Sequence, residues 1–381
     1  MAISLSVTDF IRGWSAPKTP TAMSLGVIGA TAVLAVGLIQ VLGDPRAAGP
    51  SRIIPLDGSG GGAFRTPLSK VVLDSAEASA ATEAESGALD GYDEAHADAG
   101  AANEDPASTG PAALTQAPIA KISAPGPLGP LPAIAADGST ALKVYRRPYA
   151  GDPQKPRVAV IIGGLGFNAA VTQAAIDELP PEVTLSFIPY ADNLQGWINQ
   201  ARARGHEVMI DLPMESFDSA ESDTGPQTLL AGAPPKDNVG HLENLLSRGA
   251  GYFAVSNYQG AKFAQSSQAS ATLARALKQR GLGMIANGIG PRAALGAEAD
   301  RAKLPYATAD RLLDAQRDSD AIANRLDDLE TIAKQTGDAL GAGFAFPVTV
   351  GEIKTWAAQL PSRGLSLAPA SAVLESRSPR P

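Results

Sequence analysis

The chain is predicted to be an α/β protein, a distorted (β/α) barrel of about seven strands preceded by a transmembrane helix and a disordered linker. Three observations predict it. From Arg157 onward, short apolar runs alternate with longer stretches of helical periodicity, the pattern of βα units laid on a parallel sheet. Glycines stand at Gly205, Gly281, Gly337 and Gly364, where the C-caps of those helices belong. Upstream, one uncharged apolar run and a long Ala-, Pro-, Gly- and acid-rich segment differ in composition from everything that follows.

Residues 1–21 form a polar leader. Ala22–Gly43 then carries no charge over 22 residues, long enough as a helix to cross a bilayer core. Arg12 and Lys18 lie before it. The positive-inside tendency therefore predicts a single-pass anchor with the folded part on the extracytoplasmic, periplasmic side. A cleaved signal peptide is the alternative, although its apolar core is normally shorter. Residues 44–150 hold few large apolar side chains to offset the entropy of ordering, so they are read as a disordered linker. Pro125, Pro127, Pro130 and Pro132 stiffen its last part. Between Val71 and Ala120 there are ten acidic residues and no Lys or Arg, more than the whole net charge of -8. The acidity thus belongs to the linker, and nothing in the charge balance points to nucleic acid.

The folded domain is expected over 155–375. Val158–Ile162 is a continuous apolar run, as a strand buried on both faces requires, and it ends in the glycine-rich turn Gly163–Gly166. By the same criterion Val183–Ile188, Val208–Leu212, Tyr252–Val255, Met284–Ala286, Gly343–Phe346 and Leu365–Leu367 read as strands. The intervening helices are expected at Ala169–Glu178, Leu194–Arg204, Asn238–Leu246, Gln268–Gln279, Pro291–Ala302, Asp320–Thr336 and Val350–Gln359. The helix near Asp320 is the clearest, with Ile322, Leu326, Leu329 and Ile332 on one face.

The chemistry available is narrow. There is no cysteine, which excludes disulfides, thiolate metal sites and a Cys nucleophile. Of three histidines, His96 falls in the linker, His206 precedes a strand at its amino end, and His241 sits in a polar helix. That is little material for a zinc enzyme. Gly-x-Ser-x-Gly is absent, and Gly163–Gly166 lacks the Lys-Ser/Thr of a phosphate-binding loop.

Seven motifs mark the strand ends: Ile161–Asn168, Leu185–Asn193, Gly205–Glu215, Gly225–Leu230, Val255–Phe263, Met284–Arg292 and Gly341–Thr349. In this order and spacing they resemble the divergent polysaccharide deacetylase family. The resemblance implies a barrel related to carbohydrate esterases that remove acetyl groups, in which one divalent metal such as zinc polarises the carbonyl and activates water. It also implies paired aspartates where this chain has Gly163 and Gly164, and a histidine where it has Asp211. An Asn-His pair becomes Asn257–Tyr258, an acidic residue becomes Asn287 or, in the alternative alignment, Ala286, and Gly-His-Pro becomes Gly343–Phe344–Ala345.

Hence no residue is assigned as catalytic, no metal is expected, and the ligands that the family would use are substituted. The expectation is a degenerate enzyme that binds or scaffolds envelope glycan or an envelope protein. An active deacetylase and a purely structural interaction module are the alternatives. Cleft candidates are Gly163, Gly164, Asp211, Glu215, Asn257, Asn287 and Arg292, with Tyr190, Tyr258, Phe344 and Phe346 as surfaces on which sugar rings could stack.

Overall fold

The structure is a computed structural model that describes residues 112–378 apart from 153, 219–222 and 289–292. The expected anchor, the acidic run and His96 lie outside the described residues, as does Arg292. Among the described residues no helix is long and apolar enough to cross a membrane.

A parallel sheet forms the centre. Its strands are β3 (Arg157–Leu165), β4 (Thr184–Phe187), β5 (Val208–Met214), β6 (Ala254–Gln259), β7 (Gly283–Ala286), β8 (Tyr306–Thr308), β9 (Arg311–Leu312) and β10 (Asp338–Phe344). They lie in the order β8-β7-β6-β5-β4-β3-β10-β9. Strand β11 (Ser366–Leu367) pairs with the amino end of β3. The apolar runs are continuous because both faces are covered: every residue of β4, β5 and β7 is buried.

The sheet curls, and one chain segment supplies both of its ends. Strand β8 pairs with β7, while β9 pairs with β10. Between them Ala309 N donates to Ala286 O and Asp310 N to Leu340 O. These two strands are absent from the expected set. They hold three and two residues, Asp310 lies between them and Arg311 opens β9, so no apolar run marks them. Strand β10 also begins five residues earlier than expected, at Asp338.

The helices agree closely with their periodicity. In chain order after a short α1 (Ala141–Val144) they are α2 (Ala169–Glu178), α3 (Leu194–Ala203), α4 (Pro235–Leu246), α5 (Ser267–Gln279), α6 (Ala293–Ala302), α7 (Ser319–Thr336), α8 (Pro347–Ala357) and α9 (Ala370–Arg377). Asn168, Ser266 and Asp318 cap α2, α5 and α7 with side-chain oxygens. Helices α4 and α8 start three residues earlier than expected because Pro235 and Pro347 occupy their first turns, where a missing N–H costs nothing.

The linker expectation needs correction for its last part. Residues 112–150 are ordered on the barrel. Strands β1 (Ser123–Pro125) and β2 (Pro130–Pro132) form a short antiparallel pair. Ile122, Leu131, Ala141 and Tyr145 are buried in the common core. The arm is fastened by Arg202 of α3, which is 2% exposed. Its Nε and Nη2 donate to Thr115 O, and its Nη1 donates to Tyr145 O and Gly251 O. The guanidinium also lies 4.9 Å from the centre of the Tyr145 ring. Composition concealed this because few residues do the anchoring, and most of their partners are backbone carbonyls.

Glu207, fully buried at the start of β5, ties the same arm to the C-terminus. It accepts from Arg147 N, Thr184 Oγ1 and Ser371 N. His206 beside it has Nδ1 2.8 Å from Val183 O and Nε2 3.2 Å from Ile176 O. His241 is half-buried and reaches Thr228 O at 3.0 Å.

Candidate functional site: an acidic, aromatic cleft at the strand ends

The carboxyl ends of β3, β5, β6 and β10 converge. Gly163 and Gly164 form a bulge in β3, where the register with β4 shifts between Ile162 and Leu165. Gly164 has φ +72°, a conformation that glycine adopts without strain. The bulge turns Gly164 N toward β5, where it donates to Asp211 Oδ2 at 2.7 Å. A Cβ on Gly163 would stand 3.1 Å from the same oxygen, so glycine leaves open the space over the carboxylate.

Asp211 is 3% exposed. Its other oxygen accepts from Ser186 Oγ at 2.5 Å. Burial pushes its pKa above the usual carboxylate value, against the two hydrogen bonds that favour the charged form. Among the described residues it makes no ion pair. Replacing it by Asn keeps an acceptor for Gly164 N and removes the buried charge. Asp211→Asn is expected to raise the melting temperature at pH 7 by a few degrees, about 1 kcal/mol, with no gain below about pH 4. The folded-state pKa lies above the unfolded value of about 3.9, so the ionised group costs stability above that pH and the cost vanishes in acid. Equal gains at pH 7 and pH 4, measured by thermal melts, would contradict this account.

A row of rings lies across the strand ends. Phe167 and Tyr258 have centroids 6.2 Å apart, Tyr258 and Phe344 6.4 Å, and Phe344 and Phe346 6.3 Å. Arg317 caps the row 4.0 Å over Phe346. Phe167, in the turn after β3, is 66% exposed, and sequence reasoning missed it. A large apolar residue in a glycine turn was the only signal. Tyr258 is held by a tight turn: Gln259 has φ +59°, and Asn257 Nδ2 donates to Gln259 O.

Tyr190 stands on the other wall. Its hydroxyl accepts from Gln227 N at 2.9 Å, and Arg248 lies 5.0 Å from the centre of its ring. Asp223, Thr224 and Gly225 belong to a loop beside it, and Gly225 is required there because a Cβ would meet the Tyr190 ring at 2.5 Å. Together Phe167, Ile188, Tyr190, Asp211, Pro213, Asp223 and Tyr258 line a cleft of about 140 Å³.

The other candidates have structural partners. Asn257 and Asn287 clasp β6 to β7 through three mutual hydrogen bonds. Glu215 accepts from Ala231 N and from Lys262 Nζ, and so fastens the loops after β5 and β6. Asp314, just beyond β9, was not foreseen. Its Oδ2 accepts from Phe344 N and Thr349 Oγ1, while its buried Oδ1 has no partner among the described residues. Burial raises its pKa too.

A zinc ion needs three or four close N, S or O donors. Gly163, Gly164 and Phe344 offer no side-chain donor here, Tyr258 offers only a phenol, and Asp211 is already held by two hydrogen bonds. Among the described residues no group of three His, Cys, Asp or Glu could hold a metal ion. The donor set does not fit zinc.

Residues 160–374, more than half of the chain, match the family described as divergent polysaccharide deacetylase. The chain belongs to that family. The structure of an uncharacterized protein from Agrobacterium tumefaciens C58 is 36% identical, covers 65% of this chain and all of its own, and superposes with a TM-score of 0.63. An uncharacterized protein of Haemophilus influenzae is 24% identical over 127 residues, 33% of this chain. The match spans 44% of that relative's length. A CE4 family pseudoenzyme from Bacillus anthracis is 11% identical over 64% of this chain and 72% of its own, with a TM-score of 0.36. In this member of the divergent polysaccharide deacetylase family, the strand ends carry Gly163, Gly164, Tyr258 and Phe344.

Proposed function

We propose that this divergent polysaccharide deacetylase is catalytically degenerate and binds glycan in the cell envelope, held to the membrane by Ala22–Gly43 with its folded domain outside the cytoplasm. The observation that carries the reading is the row of rings: Tyr258 and Phe344, at positions where the family resemblance implies histidines, stand in a continuous aromatic row beside an open cleft. Rings with one exposed face suit the apolar faces of sugars, and the polar groups around them suit hydroxyls. Acetyl hydrolysis needs an activated water, and the donor set here gives a metal no purchase.

Retention on insoluble peptidoglycan tests the binding. The chain is expected to be retained, and the double variant Tyr258→Ala, Phe344→Ala is expected to lose roughly ten- to a hundred-fold in affinity, about 1 kcal/mol for each ring. Thermal melts of the variant separate lost contact from lost fold. Acetate release from acetylated glycan that grows in proportion to added zinc would overturn the degenerate reading. A reporter active only outside the cytoplasm, fused after Gly43, tests the orientation and is expected to score positive.

A further inference from the structure

We propose that the cleft selects a sugar bearing a free primary amine, a de-N-acetylated hexosamine within a glycan, over its N-acetylated form, with Asp211 as the counter-ion. The inference rests on the glycan-binding reading above and specifies its ligand. Asp211 lines the cleft although it is 3% exposed. Its two oxygens hold one donor each, Gly164 N and Ser186 Oγ, so roughly half of a carboxylate's lone-pair sites stay unused. Among the described residues no Lys, Arg or His pairs with it, and none of the residues that line the cleft is basic. A buried carboxylate without a counter-charge is costly, and an arriving ammonium removes that cost.

The surroundings repeat the preference. Gly163 leaves free the space over Asp211 Oδ2, through which a compact ammonium can approach. Asp223, exposed on the rim, adds a second negative charge, and Gly225 N is its one donor among the described residues. The rings of Phe167 and Tyr258 attract a cation through their faces. An acetamide is neutral, so it supplies no charge to Asp211. It brings one N–H where the ammonium brings three, and a methyl group that must fit against the carboxylate. The chemistry of the cleft thus matches what a deacetylase releases rather than what it consumes.

Calorimetric titration of the full-length chain with tetramers of glucosamine and of N-acetylglucosamine, at physiological ionic strength, tests this. The amine tetramer is expected to bind at least about tenfold tighter. Asp211→Asn is expected to abolish the preference by weakening the amine tetramer alone, and Asp223→Asn to reduce it. Equal or tighter binding of the acetylated tetramer would overturn the inference while leaving the glycan reading standing. Binding of neither tetramer, with no retention on peptidoglycan, would overturn both. A preference that survives Asp211→Asn would place it elsewhere on this acidic chain and overturn the assignment of Asp211.

Discussion

A chain that begins at Lys155 is expected to lose cooperative folding, although composition alone reads residues 44–150 as a disordered linker. The truncation removes Ile122, Leu131 and Tyr145 from the common core. Full burial of each such side chain contributes about 1.5–3 kcal/mol, so the loss is roughly 5 kcal/mol or more, comparable with the whole stability of many domains. It also removes Thr115 and Tyr145, whose carbonyls take three of the four hydrogen bonds from Arg202. A chain starting at Ala112 keeps all of these. Thermal melts of the two decide the matter: a midpoint for the shorter chain within about 2 °C of the longer would show that the arm is only draped on the barrel.

Arg202→Met is expected to destabilise the domain by about 3 kcal/mol or more. Methionine fills the volume of the stem but leaves Thr115 O, Tyr145 O and Gly251 O buried without donors. Arg202 stays charged at neutral pH even though burial lowers its pKa to about 10. The planar fork reaches three carbonyls from one position, which a single ammonium cannot do, so Arg202→Lys is expected to recover less than half of the loss. Urea titration gives both values. A methionine variant as stable as wild type would mean that the arm is held by its apolar residues alone.

Much of the barrel was legible because its cause is local. An apolar run buried on both faces, as in Val158–Ile162 or Val208–Leu212, announces a strand, and α2 occurs over the span its periodicity predicts. The arm was illegible because a few contacts distant in sequence order it, and Arg202 lies 87 residues beyond Thr115. Strands β8 and β9 were illegible because segments of three and two residues carry no period. At the site, Asp211, Tyr190 and Tyr258 were legible from their places after strands. Their grouping in one cleft with Phe167 needed coordinates, and so did the partnership between Asp211 and the glycine bulge. Asn257, Asn287 and Glu215 show the converse: polar residues at strand ends whose hydrogen bonds fasten the scaffold.

The way the curled sheet ends has a consequence for how other molecules can meet this domain. A sheet with a long free edge invites recruitment by strand addition, in which a partner's extended backbone continues the ladder. Here the terminal strands β8 and β9 are three and two residues long, and one segment carries both. An incoming strand would find almost no ladder to extend. Among the described residues the curled sheet thus offers little to strand addition, which leaves side-chain and loop recognition at the barrel mouth and along its helices, and the same economy guards this sheet against edge-to-edge aggregation.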